Sequence, residues 1–179
     1  MDIQEQFYDY IEKNDIENVK LILKDKKVNP SEENNYPIRL ASANGYVEIV
    51  KLLLNDNRVE PSDEDNWAIR LASQNGHVDI VKLLLKDERV DPSNEDNWAI
   101  QLASENRHFD IVKLLLKDKR VNPSYRNNSS IRLAYINGHF DIINLLWQDQ
   151  RVKDTLENDD KELHNKLIKN DIKDKVEDF

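Results

Sequence analysis

WAIRLASQNGHVDIVKLLLKDERVDPSNEDN, residues Trp67–Asn97, is a unit that the rest of the chain repeats. It returns closely at residues 98–128 and with more substitutions at residues 36–66 and 129–159. Four prolines fall 31 residues apart, at Pro30, Pro61, Pro92 and Pro123. A fixed period between about 20 and 50 residues is the signature of a stacked solenoid, so the period predicts a repeat fold before local propensities are considered.

Within the unit, the pattern predicts a helix, a tight turn, a second helix and a polar loop. Ala68–Gln74 forms the first helix, and Asn75-Gly76 is a turn signal at which glycine accepts a positive φ. The second helix is predicted over His77–Lys86, with apolar residues around more than half of its circumference: Val78, Ile80, Val81, Leu83, Leu84 and Leu85. Pro92 ends the helix, and Asn94–Asn97 is rich in turn formers. We therefore expect an all-α solenoid of stacked helix-turn-helix repeats with short hairpin-like loops.

The period divides the chain into six segments. They are an N-terminal capping unit at 1–35, repeats at 36–66, 67–97 and 98–128, a divergent repeat at 129–159, and a C-terminal capping helix with its tail at 160–179. The first segment carries Asp9 and Tyr10 where the full unit has Leu and Ala, as a terminal unit without an outer neighbour should. We expect Asp171–Phe179 to be frayed.

Composition restricts the possible functions. The net charge of −9 opposes binding to nucleic acid or to an anionic membrane. The chain has no cysteine, which excludes disulfides, thiolate metal sites and a cysteine nucleophile. The N-terminal residues MDIQEQFYDY do not resemble a secretory signal, and no apolar run approaches the roughly 18 residues that span a bilayer. We expect a cytoplasmic protein.

Two sets of residues recur at fixed positions of the unit and invite a chemical interpretation, although Tyr46 takes the place of the histidine in one copy. His77, His108 and His139 could form a metal column, but neighbouring helices in a stack lie about 8–10 Å apart, whereas zinc ligands lie about 2 Å from their ion. A structural role at the start of the second helix is favoured. The recurring carboxylates, Glu48, Asp79, Asp110 and Asp141, could suggest acid–base catalysis, but their place in the first turn of a helix favours an interaction with the helix dipole. We therefore expect no catalytic site, no metal site and no cofactor.

The two helices together resemble an ankyrin repeat. Trp67–Ala72, WAIRLA, corresponds to the T-P-L-H-x-A pattern of that family, whose period is about 33 residues. NGHVDIVKLLL, beginning at Asn75, is similar to the family's second helix, and the resemblance covers residues 5–159. This unit is two residues shorter than the family's, and the loss falls in the hairpin loop. The Asn- and Lys-rich style is similar to that of ankyrin proteins of large amoeba-infecting DNA viruses, which would place the chain in a host cytoplasm.

One departure from the family lies at the start of the first helix. Aromatic residues replace the family's threonine at Tyr36, Trp67 and Trp98, and arginines replace its histidine at Arg39, Arg70 and Arg132. The hydrogen bonding between threonine and histidine is therefore lost. We expect a column of stacked aromatic rings and guanidinium groups to take its place.

The resemblance implies a protein that binds a partner protein, which would be a host protein if the chain is viral. We expect a monomer, because a solenoid capped at both ends exposes no apolar end. Partner contacts carried over from the family lie on the loop tips and the first-helix face. In the first three tips these residues are acidic or carry amides: Glu33, Asn35, Asp63, Glu64, Asn66, Gln74, Glu95, Asn97 and Glu105. The fourth set turns basic and apolar: Tyr125, Arg126, Asn128, Tyr135 and Ile136. The alternatives are a structural spacer or assembly subunit without a dedicated partner and, as a third class, an enzyme.

Arg107 breaks the turn pattern. It stands where the other units have Gly45, Gly76 and Gly138. If the backbone there is left-handed, arginine is strained by about 1 kcal/mol relative to glycine. We therefore expect the change Arg107→Gly to stabilise the protein slightly.

Overall fold

The computed structural model describes the backbone of residues 2–177 and the side chains of residues 2–169. All regular structure in this part of the chain is helical. The first helices of the successive units are α1 (Ile3–Glu12), α3 (Glu32–Asn44), α5 (Asp63–Gln74), α7 (Asn94–Glu105) and α9 (Tyr125–Ile136). The second helices are α2 (Ile16–Ile22), α4 (Val47–Leu54), α6 (Val78–Leu84), α8 (Phe109–Leu115) and α10 (Phe140–Trp147).

The helix pairs stack in chain order. Each first helix packs on the first helices of the neighbouring units, and each second helix packs on its sister helices and on its own partner. The first-helix layer is the more tightly packed of the two. The prediction of an all-α solenoid of stacked helix pairs is confirmed.

A continuous apolar core runs between the two layers. In the unit that begins at Trp67, the first helix contributes Ile69 and Ala72, and the second helix contributes Ile80, Val81 and Leu84, all almost fully buried. Because the same positions are buried in the neighbouring units, the core extends along the stack rather than forming a centre.

The helix boundaries differ from the predicted ones at two places. The second helix ends at Leu84 and not at Lys86, because the chain then turns through short-range bonds such as Asp87 N–H to the carbonyl oxygen of Leu84 at 3.1 Å. The first helix begins with a left-handed turn, at Glu64–Asn66 in α5, where an irregular polar loop was predicted.

The stack ends in two helices, α11 (Gln150–Asp159) and α12 (Lys161–Glu177). Helix α11 occupies the place where the earlier units have their proline-containing connector. Val152, Leu156, Leu163 and Leu167 of this pair are buried and cover the end of the core. The backbone of α12 continues to Glu177 through part of the tail that we expected to be frayed, and residues 178–179 of that tail lie outside the described residues.

Candidate functional site

The loop tips at the start of α3, α5, α7 and α9 are single left-handed helical turns. In the second of these tips, Glu64, Asp65 and Asn66 have φ values of 52°, 56° and 60°. The same three positions are left-handed in the other tips. A left-handed conformation costs a residue with a side chain roughly 1–2 kcal/mol, although Asn and Asp tolerate it best. The tips are therefore strained segments that other contacts must hold in place.

One side chain in each of α3, α5, α7 and α9 holds the tip at the start of its helix. Arg70 donates from Nη1 to the carbonyl oxygen of Asp65 at 3.2 Å. Equivalent bonds join Gln101 to the Asp96 carbonyl and Arg132 to the Asn127 carbonyl, both at 2.6 Å. Arg39 binds its tip one residue earlier, at the Glu33 carbonyl, at 2.7 Å. These bonds explain why arginine or glutamine stands where the ankyrin pattern has histidine, since both reach back over the turn with an N–H donor.

Arg70 also forms the centre of an aromatic stack. Its guanidinium carbon lies 4.5 Å from the ring centroid of Trp67 and 4.3 Å from that of Trp98. Arg70 is only 5 % exposed, and this burial lowers its pKa, while Glu95 and Asp65 act in the opposite direction. Arginine nevertheless remains a cation at any physiological pH. The predicted stacking is therefore confirmed between these two units.

The stack changes towards both ends of the molecule. Arg39 lies 5.7 Å from the centroid of Tyr36, and Tyr36 makes an edge contact with Tyr8. Arg132 differs from the expectation, because its Nη1 forms an ion pair with Asp160 at 2.7 Å. Ser129, the residue of this unit in the aromatic column, offers no ring. The aromatic column thus reaches from the first unit to Trp98.

The four asparagines predicted to contact a partner are instead buried, with 2, 3, 4 and 0 % exposure: Asn35, Asn66, Asn97 and Asn128. The first three link neighbouring units, because their Oδ1 atoms accept hydrogen bonds from the backbone N–H groups of Glu60, Asp91 and Asn122 at 2.8, 2.7 and 2.6 Å. The expectation that these side chains face a partner is corrected for all four. Asn35, Asn66 and Asn97 are polar because they bind backbone groups inside the stack, whereas the amide of Asn128 has no hydrogen-bond partner.

Carboxylates remain on the outside of the tips. Glu33, Glu64 and Glu95, which we call the tip carboxylates, are exposed at equivalent positions of three successive units. No ion pair among the side chains of residues 2–169 involves them, although Glu64 accepts a hydrogen bond from Asn34. Asp63 is partly covered and accepts a hydrogen bond from Asn35 at 2.6 Å. The tips thus present a row of negative charge, and Gln74 and Glu105 are exposed at the far ends of α5 and α7.

The structure places the fourth set of predicted contact residues at two separate ends of α9. Tyr125 and Arg126 lie at the start of α9, whereas Tyr135 and Ile136 lie at its end, so they do not form one patch. Arg126 forms an ion pair with Asp96 of the preceding tip. The basic character expected of the fourth tip is therefore partly neutralised. Tyr135 and Ile136 line an open groove against α12 together with Leu163.

The recurring histidines have a structural role, as predicted. His77, the residue before α6, places Nε2 3.0 Å from the carbonyl oxygen of Ala43 in the preceding unit, and His108 and His139 repeat this contact with Gln74 and Glu105 at 2.9 Å. The His108 ring also lies beneath Gly76, where an added Cβ would be 2.7 Å from it. No cluster of three or more potential metal ligands occurs among the described side chains.

A second link between units was missed in the sequence. Arg89 pairs with Asp87 at 2.6 Å and donates from Nη1 to the carbonyl oxygen of Val59 in the preceding unit at 2.6 Å. The hydrogen bond from Arg89 lowers the pKa of Asp87. The signal was an Asp-x-Arg sequence with the same period, at residues 56–58, 87–89, 118–120 and 149–151.

Comparison with known families agrees with this architecture. A family model described as ankyrin repeats (3 copies) matches residues 8–96 and 69–159. No curated protein sequence matches the chain significantly. Within the described part of the chain, no helix has the length and apolar character needed to cross a membrane.

Proposed function

The chain belongs to the ankyrin repeat family, and from this premise we propose that it is a non-catalytic module that binds a partner protein through the loop tips and the first-helix face. Ankyrin repeats are generally protein–protein interaction modules. A fold alone does not determine function, so the proposal depends on the groups that this chain places on that surface.

The observation that carries the proposal is the row of tip carboxylates beside exposed aromatic rings. Glu33, Glu64 and Glu95 form no ion pair among the described side chains, and Trp67 and Trp98 expose part of their rings on the same side of the stack. The hydrogen bonds that the buried asparagines and the Asp-x-Arg sequences make between units use neither the three tip carboxylates nor the exposed indole surface. Because opposite charges attract across an interface, the partner segment is cationic.

The alternative is a structural spacer or assembly subunit without a dedicated partner. A spacer would need only a stable stack, which the contacts between units and the two capped ends provide. It would not depend on the charged side chains of the tips. The two functions therefore differ in what happens when only the tip charge is changed.

The proposal is tested by selecting binders from a peptide display library rich in lysine and arginine. Binders are then measured on the double variant Glu64→Gln/Glu95→Gln and on a matched control, Asp79→Asn/Asp110→Asn. The control removes the same charge from the second-helix layer. We expect the tip variant to lose about tenfold or more in affinity and the control to lose little, with the difference shrinking at high salt.

Two results would count against the proposal. Equal losses in both variants would mean that only the net charge of the protein matters, and a selection that yields no binder would favour the spacer. A third variant, Tyr125→Ala/Arg126→Ala, shows whether the surface extends to the fourth tip. If the binders lose affinity for this variant too, the partner surface includes the fourth tip.

The origin of the partner is a further part of the proposal. The resemblance to ankyrin proteins of amoeba-infecting viruses supports a host-cell protein, met in the host cytoplasm. A pull-down from host lysate, compared between the wild type and the tip variant, tests this step.

A further inference from the structure

We propose that Trp67, Arg70 and Trp98 form a slot that takes one uncharged, apolar side chain of the partner, flanked in the partner by lysine or arginine. We call this site the tryptophan slot. The inference rests on the proposed function and names the kind of segment that the surface recognises.

The tryptophan slot is an open cleft between two neighbouring first helices. Leu71, Gln74 and Leu102 complete its lining, and its volume is about 140 Å³. Small-molecule pockets typically measure about 300–1,000 Å³, so the slot has the scale of one side chain. Trp67 is 37 % exposed and Trp98 is 42 % exposed, which leaves indole surface free for a partner.

The two indoles are held in place before any partner arrives. Arg70 lies between them and is fixed by its hydrogen bond to the Asp65 carbonyl at 3.2 Å. A rigid aromatic site loses little side-chain entropy when it binds, and tryptophan and arginine are enriched among the residues that dominate binding energy.

The slot exists at only one junction among the described units. On one side of it the column continues with Tyr36, and on the other side with Ser129. The residue that corresponds to Arg70 in the next unit is Gln101, which has no positive charge to place between two rings. The position of a partner along the solenoid is therefore defined by this junction.

The charges around the tryptophan slot determine which partner side chain can enter it and which residues can flank that side chain. Arg70 already occupies the facing surfaces of both indoles, so a lysine entering the slot would meet a like charge. Outside the slot negative charge prevails, because the carboxylates of Glu64, Asp65 and Glu95 outnumber the single guanidinium group of Arg70. The fitting segment therefore has an apolar residue in the centre and cations on both sides.

The test uses three short labelled peptides that share lysine flanks and carry leucine, serine or lysine at the centre. Their affinities are measured by fluorescence anisotropy for the wild type and for Trp67→Ala and Trp98→Ala. We expect the leucine peptide to bind the wild type about tenfold more tightly than either of the others. Both variants should bind all three peptides equally, at the strength of the serine peptide.

Folding is checked for every variant by its thermal midpoint. Trp67→Phe gives a milder change if Trp67→Ala unfolds, and it should reduce the preference for leucine without abolishing it. Trp147→Phe is the control, since Trp147 is buried near the C-terminal end against His164 and should leave all three affinities unchanged.

The outcomes separate this inference from the proposed function. If the peptides bind through Glu64 and Glu95 but the central residue and the tryptophans do not matter, the slot is wrong and the binding module stands. If a lysine centre binds as well as leucine, the exclusion of cations by Arg70 is wrong. If no peptide binds and the library yields no binder, both proposals fail.

Discussion

At two junctions between units, asparagines at equivalent positions differ in their hydrogen bonding. Between the units at 36–66 and 67–97, Asn66 accepts a hydrogen bond from the Asp91 N–H, 25 residues further along the chain. At the C-terminal end, Asn128 is the equivalent residue and Lys153 is its expected donor. There the N–H of Lys153 donates to the Asp149 carbonyl within α11 at 3.3 Å. Asn128 is fully buried, and neither atom of its amide has a hydrogen-bond partner.

The cause of this difference is one proline. Pro92 follows Asp91, and a residue before proline is biased away from the helical conformation, so the Asp91 N–H stays free for Asn66. The period would place the next proline at position 154, where the chain has Asp154. Without the proline, residues 150–159 form a helix that uses its own donors. The comparison teaches that the connector proline controls a contact between units, in addition to ending a helix.

Other contacts survive at the last junction. Arg151 still donates to the Val121 carbonyl at 3.0 Å, as Arg89 does to the Val59 carbonyl in the middle of the stack. The Asp-x-Arg link therefore depends only on the turn after the second helix, which all these units share. The asparagine link depends on the connector, which the last unit lacks.

We expect the largest effect from replacing buried core leucines with alanine. This change tests whether one apolar core extends through both junctions. Leu84 and Leu146 are equivalent and fully buried, whereas Leu21 in the first unit is 64 % exposed. We expect Leu84→Ala and Leu146→Ala each to reduce the free energy of unfolding by roughly 2–5 kcal/mol. Leu21→Ala should change it by less than about 0.5 kcal/mol. Urea denaturation measures all three, and a near-neutral Leu84→Ala would contradict the core assignment.

The second prediction compares two turns that differ in what lies beneath them. Gly76 and Gly138 have φ values of 81° and 71°, but of these two a Cβ would meet a histidine ring at Gly76 alone. We expect Gly138→Ala to cost about 1 kcal/mol from the left-handed backbone. Gly76→Ala should cost about 1–3 kcal/mol more, because the ring must move.

A double-mutant cycle isolates the contact behind this second prediction. If the extra cost of Gly76→Ala comes from the His108 ring, it should shrink in a His108→Ala background. An unchanged cost in that background would show that the glycine is needed for its backbone conformation alone.

The third prediction removes the two asparagines of the opening comparison. Asn66 and Asn128 have φ values of 60° and 61°, so replacement by alanine introduces the same backbone strain at both sites. Asn66→Ala also leaves the Asp91 N–H without its acceptor. We expect Asn66→Ala to cost about 1–3 kcal/mol more than Asn128→Ala. Equal losses of thermal stability would mean that Asn128 has a partner in solution, such as a bound water.

Much of the fold could be predicted because it follows from periodicity. The spacing of Val81 and Leu84 defines the buried side of the second helix, and the repeated unit requires neighbours to cover it. The stacking of Arg70 on tryptophan was also predictable, because the two residue types recur at a fixed spacing and attract each other.

The tips could not be predicted in the same way. Asn66 and Asn97 stand in polar loops, and a local pattern places such residues on the surface. Their burial depends on a backbone donor 25 residues away and on three consecutive left-handed residues. Neither condition is visible in local composition. The Asp-x-Arg link had a visible period, but its acceptor is a backbone carbonyl in another unit, and every residue type has one.

We expect the smallest effect from Arg107→Gly, at the turn where the other units have a glycine. Arg107 has a φ of 60°, so the expected left-handed backbone is confirmed, and His139 lies at the junction that this residue helps to form. Arg107→Gly removes the left-handed strain at the cost of an exposed ion pair with Asp141 at 3.4 Å. Exposed pairs contribute between about 0 and 1 kcal/mol, and the strain is of order 1–2 kcal/mol, so we expect a small net stabilisation.

The thermal midpoint should rise by about 2–4 °C for each kcal/mol gained in a chain of this size. Asp141→Asn measures the ion pair alone, and a fall in the midpoint for Arg107→Gly that exceeds this loss would contradict the strain at Arg107.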